Sequence, residues 1–259
     1  MTEAEAGLDY AIQLEDLKKS FDGGDSFVLN GLNLDIPRGK ITVIIGFSGT
    51  GKSVMLKHIL GLFKPTSGRI SVLGHDLWKM TDRELIQMRT RMGVLFQHAA
   101  LFDDMTVMEN VCFPLVEHRP GMEVEAMKQM ARRKLTQSGL EEKHFDKLPA
   151  ELSGGMRKRA GLARALVLDP EILFYDEPTT GLDPILTEMV DNLIHDTHHN
   201  HEGATSVVIS HDLLAAFRIA DHIVMLDKGQ VLLSGTQDDF WNTDIELVKK
   251  FVNKGFRRE

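Results

Sequence analysis

Gly46-Phe47-Ser48-Gly49-Thr50-Gly51-Lys52-Ser53 follows the run Ile41-Thr42-Val43-Ile44-Ile45 and leads into Val54-Met55-Leu56-Lys57-His58-Ile59-Leu60. The preceding run is apolar almost throughout rather than alternating, as a strand covered on both faces requires. The following stretch predicts a helix over Ser53 to Phe63. Between them stands G-x-x-x-x-G-K-[ST] in the strand-to-helix context that its chemistry needs. The glycines let backbone N–H groups turn inward around a β-phosphate, and the helix N-terminus adds partial positive charge. Lys52 is expected to reach the β- and γ-phosphates, and Ser53 to offer its hydroxyl to Mg²⁺ bridging them. Gly46, Ser48, Gly49, Thr50, Gly51, Lys52, Ser53 and Val54 are therefore the candidate contacts for MgATP.

Working outward, strand-like runs at Ile12 to Leu17, Met92 to Phe96, Ile172 to Tyr175, Ser206 to Ile209 and Ile223 to Leu226 alternate with helical stretches. That alternation indicates an α/β sheet. Between Gln97 and Ser153 the strand pattern lapses into a helical segment rich in Met and charge, broken at Arg119-Pro120-Gly121. The expected organisation is one domain over residues 1–240, with a helical subdomain at about 98–160 inserted into the sheet domain, and a tail over 241–259. From Asp244 to Glu259 the tail reads as a short basic helix. It sets Ile245, Val248, Phe251 and Val252 on one side, near Lys249, Lys250, Lys254, Arg257 and Arg258.

Ile172-Leu173-Phe174-Tyr175 ends in Asp176-Glu177, two carboxylates at the strand edge where α/β proteins hold their ligands. Asp176 suits a Mg²⁺ ligand, and Glu177, one residue further out, suits the group that orients or deprotonates an attacking water.

The bulk numbers narrow the setting. With 259 residues and 42% hydrophobic content the chain can bury a full core. The acidic start, with Glu3, Glu5 and Asp9, lacks the blocks of a secretory signal, and no apolar run reaches membrane-spanning length. The single Cys112 makes no internal disulfide, which favours a reducing, cytoplasmic setting. A net charge of -8 argues against broad binding to nucleic acid or to an anionic membrane surface, so attachment to a membrane is expected through a partner.

Leu152-Ser153-Gly154-Gly155-Met156, followed by Arg157, Lys158, Arg159 and Arg164, lies just upstream of the Asp-Glu strand. Physically it is a second anion site at a helix start. In this position it resembles the signature of the ABC ATPases, and the resemblance covers nearly the whole chain, from Ile12 to about Phe240. It implies an α/β, ABC-type P-loop NTPase with a RecA-like sheet core and an inserted helical subdomain. It also implies ATP hydrolysis by a homodimer in which Ser153, Gly154 and Gly155 contact the γ-phosphate of ATP held by the other subunit. Gln97 looks like the Q-loop residue that senses γ-phosphate and Mg²⁺, Asp183 like the D-loop residue crossing the dimer interface, and His211 like the switch histidine on the γ-phosphate. Phe21 resembles the aromatic that stacks on adenine, with Phe27 as its competitor. Two departures stand out: Phe47 replaces the common proline and Met156 the common glutamine, which puts any side-chain contact of that glutamine in doubt.

The stretch Ala100-Leu101-Phe102-Asp103-Asp104-Met105-Thr106-Val107-Met108-Glu109-Asn110-Val111-Cys112-Phe113-Pro114-Leu115-Val116-Glu117-His118 is similar to the lipid-transport ATPases, in particular the Mla branch. That resemblance implies a subunit on the cytoplasmic face of the inner membrane of a Gram-negative bacterium. Such a subunit moves phospholipid and maintains outer-membrane lipid asymmetry. It implies an integral membrane permease docked through residues 97–118, with Leu101, Phe102, Val107, Phe113 and Leu115 as anchors or as subdomain core, and Phe102 and Met105 at the surface groove. A periplasmic lipid-binding subunit and a small cytoplasmic regulatory subunit also belong to that implied complex. The alternatives are a soluble ABC ATPase acting on DNA or ribosomes, an importer ATPase for another substrate, and a module that binds ATP without hydrolysing it. His195, His198, His199 and His201 invite a metal reading, but the cluster ends a helix before the polar turn Glu202-Gly203 and reads as surface.

Overall fold

The computed structural model describes residues 9–201 and 203–256. Glu3, Glu5, Glu202, Arg257 and Arg258 lie outside them. In chain order the first elements are β1 (Tyr10–Lys19), β2 (Leu29–Pro37), β3 (Ile41–Ile45), α1 (Lys52–Ile59), β4 (Ser67–Val72), β5 (His75–Asp76) and α2 (Asp82–Thr90). Next come β6 (Met92–Leu95), α3 (Val107–His118), α4 (Val124–Gln137), α5 (Gly154–Leu166), β7 (Ile172–Asp176) and α6 (Pro184–Asn200). The last are β8 (Thr205–Ile209), α7 (Leu213–Ile219), β9 (His222–Asp227), β10 (Gln230–Gly235), α8 (Gln237–Trp241) and α9 (Glu246–Phe256). They gather into two compact units: Met88–His201, and the remaining described residues before and after it.

In the flanking unit, β3 lies between β8 and β9, parallel to both, with Ile44 level with Ile209 and Val224. All five residues of β3 are buried, which is why the run carries no polar alternation. β10 runs antiparallel to β9, and β2-β1-β4-β5 form a separate antiparallel sheet. α9 turns Val248 and Val252 inward and packs against α7 and α8. α1 ends at Ile59, short of the expected Phe63, because Gly61 takes a left-handed φ of 66° and its N–H turns back to His58.

In the Met88–His201 unit, β6 pairs in parallel with β7, Leu95 level with Tyr175. Its helices enclose Val107, Met108, Val111 and Leu115 of α3, Met127, Ala131 and Leu135 of α4, and Ala160 and Ala163 of α5. Val107 and Leu115 have no exposed surface, so they are core and cannot be permease anchors. This unit is wider than the helical stretch 98–160 of the sequence reading, because β6, β7 and α6 group with the helices. Among the described residues, no helix is long and apolar enough to cross a membrane.

Candidate functional site

The phosphate-binding loop bridges β3 and α1. Gly46 is buried with φ 155°; a Cβ there would lie 2.5 Å from the Leu226 carbonyl oxygen and 2.9 Å from Thr50 Oγ1, so only glycine fits. Thr50 Oγ1 donates to the Phe47 carbonyl at 2.9 Å, closing the turn from inside. Gly51 stands at the N-cap of α1 and no side chain caps that end, which leaves its first-turn amides open to an anion. Lys52 is buried, and its Nζ donates to the carbonyls of Gly46 at 2.7 Å and Phe47 at 2.9 Å. These are neutral acceptors, and a phosphate oxyanion offers the ammonium a charge–charge attraction that a carbonyl lacks. Ser48, Gly49 and Ser53 are exposed, and Val54 is half-buried. The loop's residues thus fit a nucleotide's phosphates. The ring of Phe47 meets Phe251 of α9 edge-on, with centroids 5.2 Å apart, so the residue in the common proline's place is packed by the tail helix.

His211 sits in the short turn between β8 and α7. Ser210 Oγ accepts from Asp212 N at 2.9 Å, and Asp212 in turn caps α7 through Leu214 N and Ala215 N, leaving the exposed imidazole at the strand's C-terminal end. Phe21 is 60% exposed against 39% for Phe27; its ring lies edge-on to Phe63 and under Lys19 Nζ at 5.0 Å. The loop carrying it is fastened by Asp22, which accepts from Ser20 Oγ, Ser26 Oγ and Ser26 N. Those bonds, that from Ser20 foremost, hold its carboxyl far below the usual range.

In the Met88–His201 unit, Gln97 follows β6 and Glu177 follows β7, both half-buried at the C-terminal ends of adjacent parallel strands. Asp176 is the last residue of β7. Glu177 has φ 46°, a left-handed backbone that a glutamate adopts at a cost of about 1 to 2 kcal/mol. Thr180 Oγ1 donates to its Oε2 at 2.9 Å and fixes the carboxylate. Such strain is retained where the surroundings over-determine a functional geometry. The sequence assigns Thr180 no role beyond its place at the start of Thr180-Gly181-Leu182-Asp183; its spacing of three after Glu177 is the available signal.

Ser153 caps α5, its Oγ accepting from Met156 N at 3.3 Å. A Cβ on Gly154 or Gly155 would meet nothing within 4 Å, so the helix start is an open face. Met156 is partly buried against the helical core, which accounts for an apolar side chain where the family has glutamine. Asp183 caps α6 through Ile185 N at 3.0 Å and Leu186 N at 3.1 Å while staying exposed. Phe102 is 41% exposed, its ring 4.8 Å from that of Phe113. Leu101 packs partly against the core, and Met105 is half-buried. His195 and His199 stack at 4.1 Å on α6, but among the described residues no three His, Cys, Asp or Glu side chains are grouped to hold a metal ion. Each unit thus sets candidate residues at the C-terminal ends of paired parallel strands: the loop and His211 in one, Gln97, Asp176 and Glu177 in the other.

Residues 29–180 match the family model described as ABC transporter. The chain is 42% identical over 245 residues to the probable ribonucleotide transport ATP-binding protein mkl of Mycobacterium leprae, covering 94% of this chain and 69% of that protein. It is 39% identical over 233 residues to the intermembrane phospholipid transport system ATP-binding protein MlaF of Haemophilus influenzae, covering 90% of this chain and 87% of MlaF. Among solved structures, it resembles a dimeric ATP-binding cassette in a post-hydrolysis state bound to ADP and Pi. The TM-score is 0.78 at 33% identity, over 87% of this chain and 98% of that one. A phosphate loop, a strained glutamate and an open glycine helix start, in a chain so matched, place this protein in the ABC transporter family as an ATP-hydrolysing subunit.

Proposed function

We propose that this ATPase drives phospholipid between the inner and outer membranes of a Gram-negative bacterium, as a homodimer on the cytoplasmic face of the inner membrane. The observation that carries the reading is the exposed ring of Phe102 just after Gln97, in a chain 39% identical to a protein named for intermembrane phospholipid transport. A large apolar side chain beside a γ-phosphate sensor suits docking to a membrane permease. In this reading the permease contact is made by 97–118, through Phe102, Phe113 and Met105. A periplasmic lipid-binding subunit and a small cytoplasmic regulatory subunit complete the complex, supported by the similarity to MlaF alone.

Lys52 compensates β/γ-phosphate charge, Phe21 stacks on adenine, and His211 contacts the γ-phosphate. Glu177, with its carboxylate fixed by Thr180, takes the proton of the attacking water. Ser53, Gln97 and Asp176 carry the oxygens that would hold Mg²⁺, which when bound would spread the charge developing on the transferred phosphoryl group. Ser153, Gly154 and Gly155 present donors to ATP on the second subunit, and Asp183 stands at the subunit interface. The dimeric cassette among the similar structures supports this pairing.

The similarity to mkl favours a second reading, the same ATPase with another substrate. Purification with native membrane partners, followed by reconstitution into vesicles with labelled phospholipid, separates the two. ATP-dependent lipid movement supports the first reading; a co-purifying permease that moves no lipid favours the second; and capture of DNA or ribosomes without a membrane partner sinks both. Phe102→Asp is expected to abolish assembly with the permease while the isolated subunit still binds ATP, since an unpaired carboxylate in a buried apolar contact costs about 2 to 5 kcal/mol.

A further inference from the structure

We infer that Arg164 is a positioning residue that ties the signature helix α5 to the backbone carrying Phe102, and so transmits the nucleotide state sensed at one end of that helix to the docking surface. The inference rests on the reading of Phe102 as a permease contact.

Ala99 and Ala100 follow Gln97 with φ 61° and φ 50°, both left-handed and neither a glycine. Two such residues in succession persist only where something holds them. The guanidinium of Arg164 supplies the hold: Nη2 donates to the Ala99 carbonyl and Nη1 to the Ala100 carbonyl, each at 2.8 Å. Its planar fork matches two successive carbonyls, which a lysine ammonium does not. The same cation lies 5.8 Å from the Phe102 ring centroid, so one side chain fixes both the backbone turn and the ring it presents.

The approach of segment and helix is close by construction. Gly161 lies one turn before Arg164, and a Cβ there would come 2.9 Å from Ala99 Cβ and 3.0 Å from Leu95 Cδ1. Further along the segment, buried Asn110 accepts from Phe102 N and donates to the carbonyls of Phe102, Met105 and Thr106. α5 runs without a break from its Ser153 cap past Arg164, a rod of about 16 Å between those two residues. A movement of the open glycine end is therefore carried to Ala99 and Ala100 without a flexible joint. A helix whose Arg only closes the local fold would show the bonds but no effect on coupling.

Two variants disturb the hold in different ways: Arg164→Lys keeps the charge but loses the fork, and Gly161→Ala pushes Ala99 away sterically. In the isolated full chain, amide exchange over residues 98–105 is expected to rise about tenfold in both, with β7 unchanged. The basal ATPase rate and KM for ATP stay within about twofold, while the permease-stimulated kcat in the reconstituted complex falls about tenfold. Unchanged exchange in that segment overturns the positioning role, whatever the permease result. Raised exchange with stimulation intact, in a complex that Phe102→Asp does disrupt, overturns the transmission role alone. If Phe102→Asp leaves assembly intact, the docking reading fails and the transmission inference falls with it, while the exchange measurement still decides what Arg164 holds.

Discussion

Asn110 offers a direct test of how the segment after Gln97 is built. Its side chain has no exposed surface and makes four hydrogen bonds: Oδ1 accepts from Phe102 N at 2.8 Å, and Nδ2 donates to the carbonyls of Phe102, Met105 and Thr106 at 3.0 to 3.1 Å. Asn110→Ala removes all four and orphans the Phe102 N–H and the Met105 carbonyl, while the Phe102 and Thr106 carbonyls keep the backbone N–H groups of Met105 and residue 110. Each neutral bond contributes about 1 kcal/mol net, and a buried orphan donor costs about 1 to 3 kcal/mol. The orphaned donor and the lost bonds together make a total of about 3 kcal/mol the expected cost. In a chain of this size that lowers the thermal midpoint by about 6 to 12 °C. Asn110→Asp keeps the acceptor for Phe102 N but sets a carboxylate against three carbonyl oxygens, and should cost at least as much. Thermal and urea unfolding of the isolated subunit reads both variants. A loss below about 1 kcal/mol for Asn110→Ala would refute the idea that this side chain clips the loop.

If Glu177 is the base proposed above, Glu177→Gln preserves shape but removes it, so phosphate release should fall about 10² to 10⁴-fold while an ATP-bound dimer accumulates in size-exclusion chromatography; turnover at the parental rate excludes Glu177 as the catalytic carboxylate. Lys52→Ala leaves the γ-phosphate without its cation, and hydrolysis should be abolished with the fold intact by circular dichroism; near-normal turnover removes the loop from the reaction. Burial, the largest cause, pushes the His58 imidazole below its ordinary 6.5. The unfolded chain then takes up a proton near pH 6.5 that the folded chain refuses. Stability is therefore full above that value and falls as the pH drops toward the folded-state pKa, at up to about 1.4 kcal/mol per pH unit for this site. In His58→Gln that part of the slope should vanish in urea titrations between pH 7 and 5, and an unchanged slope would discount His58.

Much of the candidate site's layout is legible in the sequence because its signals are local. The loop from Gly46 to Ser53 needs glycine at fixed offsets, and the β3 and β7 runs are apolar almost throughout because both faces are covered. β2 is not among the strand-like runs of the sequence, although Leu32, Leu34 and Ile36 alternate there with exposed Asn33 and Asp35, the period-two pattern of a strand with one face less buried. β10, partly exposed along its length, left a weaker trace.

Tertiary structure alone decided which apolar residues after Gln97 face inward. Val107 and Leu115 match Phe102 in hydrophobicity, yet α3 turns them into the core and the loop leaves Phe102 outside. It also decided the grip of Arg164 on Ala99 and Ala100, 64 to 65 residues apart, and the contact of Phe47 with Phe251. The sequence by itself determined the chemistry, since glycine, lysine and carboxylate spacing within a few residues fixes what a strand end can bind. Which surface carries that chemistry to a partner depends on contacts between distant residues, and those exist only once the chain has closed on itself.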